Sequence, residues 1–301
     1  LVHHSIYGFG EEEGHWVMWP FFKDHTIYGA TVALCLPISL ALLKQKGSPP
    51  LSKAILILLN VILIVGLIFS YTRAAWLSVI CASIIGMLVY FRVNFRFLMG
   101  LGLAFSLIIY SQWDNIQLAL AKNTHEHTTE AFEEKIQSAA NVTTDASNLE
   151  RINRWDCAIQ MFKKEPITGF GPGTYAFEYA PFQDPENQTI ISTNFGDMGN
   201  AHSEYLGTLS ETGLLGLLLF LSIIASIFIS AIRLYYKTAI QENDTKLLIM
   251  GIIVSLSSYF IHAFLNNYLD TDKAAVPVWA MCAMIIAMSL PIANDQSIKQ
   301  G

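Results

Sequence analysis

Charge is scarce in this sequence. Asp, Glu, Lys and Arg make up only 14% of its 301 residues, against 53% hydrophobic residues and a mean hydropathy of +0.42. Soluble domains carry about 25% charged residues, so a water-soluble globule is excluded and a membrane protein is indicated. Cysteine is sparse too. Cys35, Cys81, Cys157 and Cys282 form no C-x-x-C pair, and three of them fall inside apolar runs. That pattern excludes a disulfide framework and a structural zinc site. Internal repeats and low-complexity linkers are missing. So is a basic segment followed by an apolar stretch at the start, so no signal peptide is expected. The chain opens at Leu1 with polar and aromatic residues, and an N-terminal truncation with further helices upstream is expected.

What the sequence has in abundance is long apolar runs. Seven of them, near 27–43, 54–71, 74–91, 97–112, 213–232, 247–265 and 274–292, approach or reach the roughly 20 residues needed to cross about 30 Å of hydrocarbon. Pro37 interrupts the first, but neighbouring helices can satisfy the backbone groups that proline frees. The expected fold is therefore an all-α polytopic membrane protein of about seven transmembrane helices with one large, mostly helical outer loop. It divides into an outer segment 1–26, four helices over 27–112, the loop 113–212, three helices over 213–292 and a cytoplasmic tail 293–301.

Orientation follows from lysine and arginine in the short connections. Lys44, Lys46, Lys53, Arg92, Arg96, Arg233, Lys237, Lys246 and Lys299 share one side, which is read as cytoplasmic. The other side then holds nine basic and 21 acidic residues. An acidic exterior argues against nucleic acid as a partner.

Within the outer loop, residues 119–122 and 131–139 suggest short surface helices. The pattern sharpens at Ser147, where S-x-x-E with Glu150 forms a capping box. Leu149, Ile152, Trp155 or Asp156, Ile159 and Phe162 follow at helical spacing, predicting an amphipathic helix over 147–164 with that stripe inward. Pro166 and the glycines of TGFGPGTY (168–175) predict a sharp turn, because Gly169, Gly171 and Gly173 accept backbone angles that other residues avoid. An aromatic segment, 175–182, comes next.

Few groups outside the spans are suited to chemistry. Arg73, in YTRAAW, sits at the outer membrane boundary, where an arginine either snorkels to the headgroups or meets an anion. Arg151 and Arg154, three residues apart on one helix, are either a solvated pair or a fork for phosphate, which planar guanidinium donors fit bidentately. His125-Glu126-His127 is a weak metal candidate in an unpatterned stretch, and no metal or other cofactor is expected. His202 stands just before a span beside Glu204, Tyr205 and Glu211. It is either a packed or capping residue or a general base supported by these neighbours. The six tryptophans gather toward the outer side, as an interfacial belt or as platforms for sugars.

The order of these segments carries a resemblance. TRAAW at a span, then R-x-x-x-W (151–155) with AIQMFKKEPITGFGPGTY, then NAHSEYLGTLSETGLLG entering a span, resembles the O-antigen ligase/polymerase family of bacterial envelope glycosyltransferases. KDHTIYGATVALCLPISL near the start is similar as well, and the likeness covers most of residues 20–270. The resemblance implies a bacterial inner-membrane enzyme. Such an enzyme takes a glycan from an undecaprenyl-diphosphate-linked donor at the periplasmic face and moves it to a lipid A-core sugar, another glycan repeat or a protein hydroxyl. It carries the family's arginine at the outer end of a span over to Arg73, its loop arginine to Arg151 and its histidine to His202. Arg154 joins them from helical spacing, and Ser203 stands where many members have asparagine. The reading from another class is a polysaccharide transporter or flippase component. Transporters tend to place polar groups at mid-membrane, whereas these spans hold almost no ionisable residues.

Overall fold

The computed structural model describes residues 1–46, 49–94, 111, 146–184, 199–239 and 241–298, with side chains omitted at 146–149 and 291–298. The chain divides into two compact units, Leu1–Val89 with Leu219–Gly301, and Tyr90–Leu218. The fold is an all-α polytopic membrane protein. Among the described residues, six helices are long and apolar enough to cross a membrane. The expected span 97–112 lies outside the described residues, as do the expected helices at 119–122 and 131–139.

In the first unit, two short helices, α1 (Val2–Ser5) and α2 (Glu11–Gly14), precede three spans: α3 (His25–Leu43), α4 (Pro50–Ile68) and α5 (Arg73–Tyr90). Asp24 caps α3, its carboxylate accepting from the Thr26 and Ile27 amides at 2.8 and 3.1 Å, which stabilises a helix start with otherwise orphaned donors. The later part of the chain adds α9 (Asn243–His262) and α10 (Asp272–Ile298), whose part Asp272–Leu290 is long and apolar enough to span.

Helix α3 is the centre of this unit, packing on α9, α4 and α10. Small residues permit the close approach, as expected where lipid offers no hydrophobic drive between helices. A Cβ placed on Gly251 of α9 would lie 2.7 Å from Ala41 Cβ and 3.2 Å from Ile38 Cα. At the same crossing the Ile38 amide, next to Pro37, donates to Ser255 Oγ of α9 at 3.2 Å. The neighbouring helix thus satisfies a backbone group beside the proline, and α3 continues through Pro37. Helix α4 is peripheral: Leu51, Ile55, Leu58, Val61 and Ile62 are all exposed, as lipid-facing side chains are.

The end of the unit where α3 and α5 begin is closed by the first residues of the chain. Tyr71 donates its hydroxyl to the Phe9 carbonyl at 2.6 Å, and the Phe9 and Phe69 rings stack at 4.5 Å. Thr72 donates to the His25 carbonyl at 3.1 Å. Thr26 is hydrogen-bonded to the Tyr268 hydroxyl, joining the start of α3 to the segment between α9 and α10.

Gly251→Leu is expected to destabilise the α3–α9 crossing by about 1–3 kcal/mol, the usual cost of overpacking. The check is a lowered unfolding midpoint in detergent, with Gly251→Ala intermediate between it and the parent.

Candidate functional site

The second unit is built on α6 (Ala146–Lys164), which covers the predicted helix; Ser147 lies inside it and the Glu150 carboxylate is bonded to Arg154, so Ser147 is not the residue that caps it, and a different face is inward. Asn153, Arg154, Cys157, Ala158 and Met161 are buried, while Ile159 is exposed and Ile152 and Phe162 are only half-buried. The partners explain the reversal. The core opposite is Tyr175, Tyr179 and Ala201, and the Tyr179 ring attracts the Arg154 cation over its face, which turns the Arg154 side of the helix inward. Burial pushes the Cys157 thiol up to about 12, so it stays protonated and inert at neutral pH.

Arg154 is enclosed. Its Nε donates to Glu150 Oε1 at 2.6 Å, its guanidinium lies 3.9 Å over the Tyr179 ring, and it is 4% exposed. Burial works against its charge, but hydrogen bonds to Tyr179 and Glu150 outweigh that and hold its pKa above the ordinary arginine value. The Tyr175 hydroxyl donates to the Arg154 carbonyl at 2.7 Å, and the Tyr175 and Tyr179 rings stack at 5.4 Å. Gly199 passes so close that a Cβ there would fall 2.0 Å from Arg154 Nη1. Arg151, three residues earlier, is half-buried.

Helix α6 ends at Lys164, and the glycine turn follows as predicted, with Gly169, Gly171 and Gly173 at φ +65°, +118° and +76°. Next come α7 (Tyr175–Glu178) and a 3-10 turn, Ala180–Phe182. The long helix α8 (Glu204–Lys237) breaks at Gly213, where φ is +65° and ψ −167°. A polar arm, 204–212, meets an apolar arm, 214–237. The apolar arm begins where the expected span at 213 does, and the helix reaches back to Glu204 because the preceding polar residues are helical too.

The break at Gly213 and the turn after Pro166 satisfy each other. The Phe170 amide donates to the Ser210 carbonyl at 3.2 Å and the Gly171 amide to the Glu211 carbonyl at 2.7 Å, while the Leu214 amide donates to the Pro166 carbonyl at 2.9 Å. Contact is tight on both sides. A Cβ on Gly169 would lie 2.4 Å from the Glu211 carbonyl carbon, and one on Gly213 would lie 2.2 Å from the Ile167 carbonyl oxygen. Glu211 completes the joint: its carboxylate accepts from the Gly173 amide at 2.9 Å and the Tyr175 amide at 3.0 Å.

His202 immediately precedes the residue that caps α8. Ser203 Oγ accepts from the Leu206 amide at 3.4 Å, so serine does here the capping work that asparagine also does well. The His202 amide donates to Asn200 Oδ1 at 3.0 Å, and its carbonyl accepts from the Trp155 indole at 3.3 Å. Between these two bonds the backbone is held at φ +47°, a left-handed conformation that costs an L-residue roughly 1–2 kcal/mol. Non-glycine strain of this kind concentrates at functional sites. The ring is half-buried. Glu204, in the first turn of α8, is 8% exposed, and Tyr205 beside it is half-buried.

Arg151, Arg154, His202, Glu204, Tyr205 and Glu211 thus share the second unit. Arg73 belongs to the first, where it is the first residue of α5 and half-buried, following Tyr71 at φ +50°. His125, Glu126 and His127 lie outside the described residues. Three contributors went unrecognised in the sequence: Glu150 as the partner of Arg154, Trp155 as the donor to His202, and Gly213 as the break. Signals for them existed in the i, i+4 spacing of Glu150 and Arg154 and in the glycine at the polar-to-apolar change.

Fold and site together define a multi-pass helical membrane protein with a separate unit built from a glycine turn and the polar start of a span. A family model described as O-antigen ligase matches residues 58–221, and the chain belongs to that family. Membership supports a role in glycan transfer for envelope polysaccharide biosynthesis. No curated protein matches the chain.

Glu211→Ala is expected to free the turn amides. Hydrogen bonds to a charged acceptor contribute about 1.5–3 kcal/mol each, so amide exchange at Gly173 and Tyr175 accelerates markedly, while exchange along α3 and α9 stays unchanged.

Proposed function

We propose that this protein is an inverting, metal-independent glycosyltransferase. Its donor is a glycan on undecaprenyl diphosphate, and its acceptor is a hydroxyl on a glycan or lipid A-core sugar at the periplasmic face of the bacterial inner membrane. In the reaction, the acceptor oxygen bonds to the anomeric carbon as the bond from that carbon to the phosphate oxygen breaks. The acceptor proton passes to His202, and the diphosphate leaves on its lipid carrier with its negative charge increased.

That chemistry needs a base and a place for anionic charge. Imidazole titrates near neutrality by nature, and a positioned base contributes typically about 10²–10⁴-fold. Arginines stabilise developing charge on a diphosphate. Arg73 and Arg151 take this role. Arg154, enclosed by Glu150 and Tyr179, serves it by fixing the helix that presents Arg151. The single observation that carries the reading is the strained His202 backbone, pinned by Asn200 and Trp155 at the head of α8. The same functional class with a protein hydroxyl as acceptor uses identical donor chemistry, and analysis of products with candidate acceptors separates the two.

In vesicles with a defined lipid-linked donor, His202→Ala is expected to lose about 10²–10⁴-fold in turnover with donor binding retained. A correctly folded variant at near parental turnover removes His202 as the base. Arg151→Lys keeps the charge but loses the planar fork, so donor affinity drops, while unchanged affinity takes Arg151 out of the donor site.

A further inference from the structure

The turn after α6 holds an apolar side chain outward that its own unit does not cover. Ile167 is 65% exposed, within a stretch 163–168 that is exposed throughout. Its backbone is tied to the point where the span begins, because the Leu214 amide donates to the neighbouring Pro166 carbonyl at 2.9 Å. The Ile167 carbonyl itself lies 2.2 Å from a Cβ placed on Gly213. Directly after that point Leu214, Leu215 and Leu218 are 47%, 57% and 54% exposed, an outward apolar stripe of the sort a span turns to lipid tails. Ile167 stands at the head of that stripe and extends it onto the loop. The same exposed stretch carries Lys163 and Lys164 against the single acidic Glu165, a net cationic balance ahead of the apolar tip. Apolar groups flanked by lysine are the pattern of segments that lie in the membrane interface, attracted also by anionic headgroups.

We propose that residues 163–168 form a membrane-interface anchor, with Ile167 among the upper acyl chains and Lys163 against the phosphates of anionic lipid. The occupant is the bilayer, because the backbone of this exposed turn is bonded to the residue at which the exposed apolar arm begins. The joint at Gly213 passes the depth of this anchor to the polar arm of α8, at whose head His202 sits. The anchor is a statement about position in the membrane and does not depend on the transfer reaction.

The test uses the full chain in vesicles of phosphatidylethanolamine and phosphatidylglycerol, part of the lipid carrying bromine at upper acyl positions. With Cys35, Cys81, Cys157 and Cys282 replaced by alanine, Ile167→Cys is labelled with an environment-sensitive fluorophore. Leu218→Cys serves as the lipid reference and Glu178→Cys as the water reference. The expected result at 167 is a blue-shifted emission that is lost to brominated lipid and insensitive to aqueous iodide. Quenching by iodide alone, as at Glu178, overturns the proposal. Protection from both quenchers also overturns it, since a second copy or another protein then covers the turn. Ile167→Trp in the chain with its cysteines intact gives the same readout without the alanine background: the added emission is lost to brominated lipid if the anchor exists and not otherwise.

Discussion

The arrangement of the second unit depends on one backbone exchange. A helix that breaks leaves carbonyls and amides without their intrahelical partners, and a polar group buried unsatisfied costs roughly 2–7 kcal/mol. At Gly213 those groups are taken up by a turn from nearly fifty residues earlier in the chain: Ser210 and Glu211 receive amides from Phe170 and Gly171, and Leu214 gives its amide to Pro166. The exchange requires backbones closer than any Cβ permits, which is why glycine stands on both sides, at 169 and 213. Neither segment keeps this shape alone. The turn needs the broken helix to accept its amides, and the helix break needs the turn to accept the Leu214 amide.

From that joint the position of His202 follows. The polar arm of α8 leaves Gly213 in a fixed direction, and nine residues of helix lead back to Ser203, whose hydroxyl caps it. His202 is the next residue out. Its left-handed backbone is held by Asn200 on one side and by Trp155 of α6 on the other. The same α6 carries Arg151 and Arg154, with Arg154 locked by Glu150 and Tyr179. These two bonds hold the backbone of His202, and so fix the point and direction from which its ring leaves the chain. A group that must meet an acceptor hydroxyl in one geometry gains from that restriction.

Much of this was legible in the sequence, for identifiable reasons. Apolar runs of membrane length predict spans because the bilayer sets a length that residue counting can test, and six of the seven correspond to observed helices. The turn at 168–175 was legible because its glycines advertise positive φ. The inward face of α6 was misjudged, because Leu149, Ile152, Ile159 and Phe162 make the more hydrophobic stripe and hydrophobicity decides most such helices. Here the decision lay with Tyr179, a residue outside the helix, whose ring attracts the Arg154 cation. The distinction between Arg151 and Arg154 was lost for the same reason, since spacing makes them neighbours but burial by a distant tyrosine makes them different.

The enclosed arginine clarifies what a charged pair on such a helix accomplishes. Breaking a buried ion pair leaves an uncompensated charge and is costly, although the pair itself contributes little net stability over apolar packing. Arg154 is therefore better understood as a source of uniqueness than of energy. Glu150 lies on the same helix and turns with it, but Tyr179 across the guanidinium plane and Gly199 against its edge do not, so rotation of α6 by even one residue would take the cation off the ring and leave its charge without that partner. The register of α6 is fixed by that penalty. With it are fixed the half-buried position of Arg151 and the Trp155 indole that reaches the His202 carbonyl. One buried cation, unable to face elsewhere, thereby aligns the helix arginine and the histidine that the proposed transfer requires.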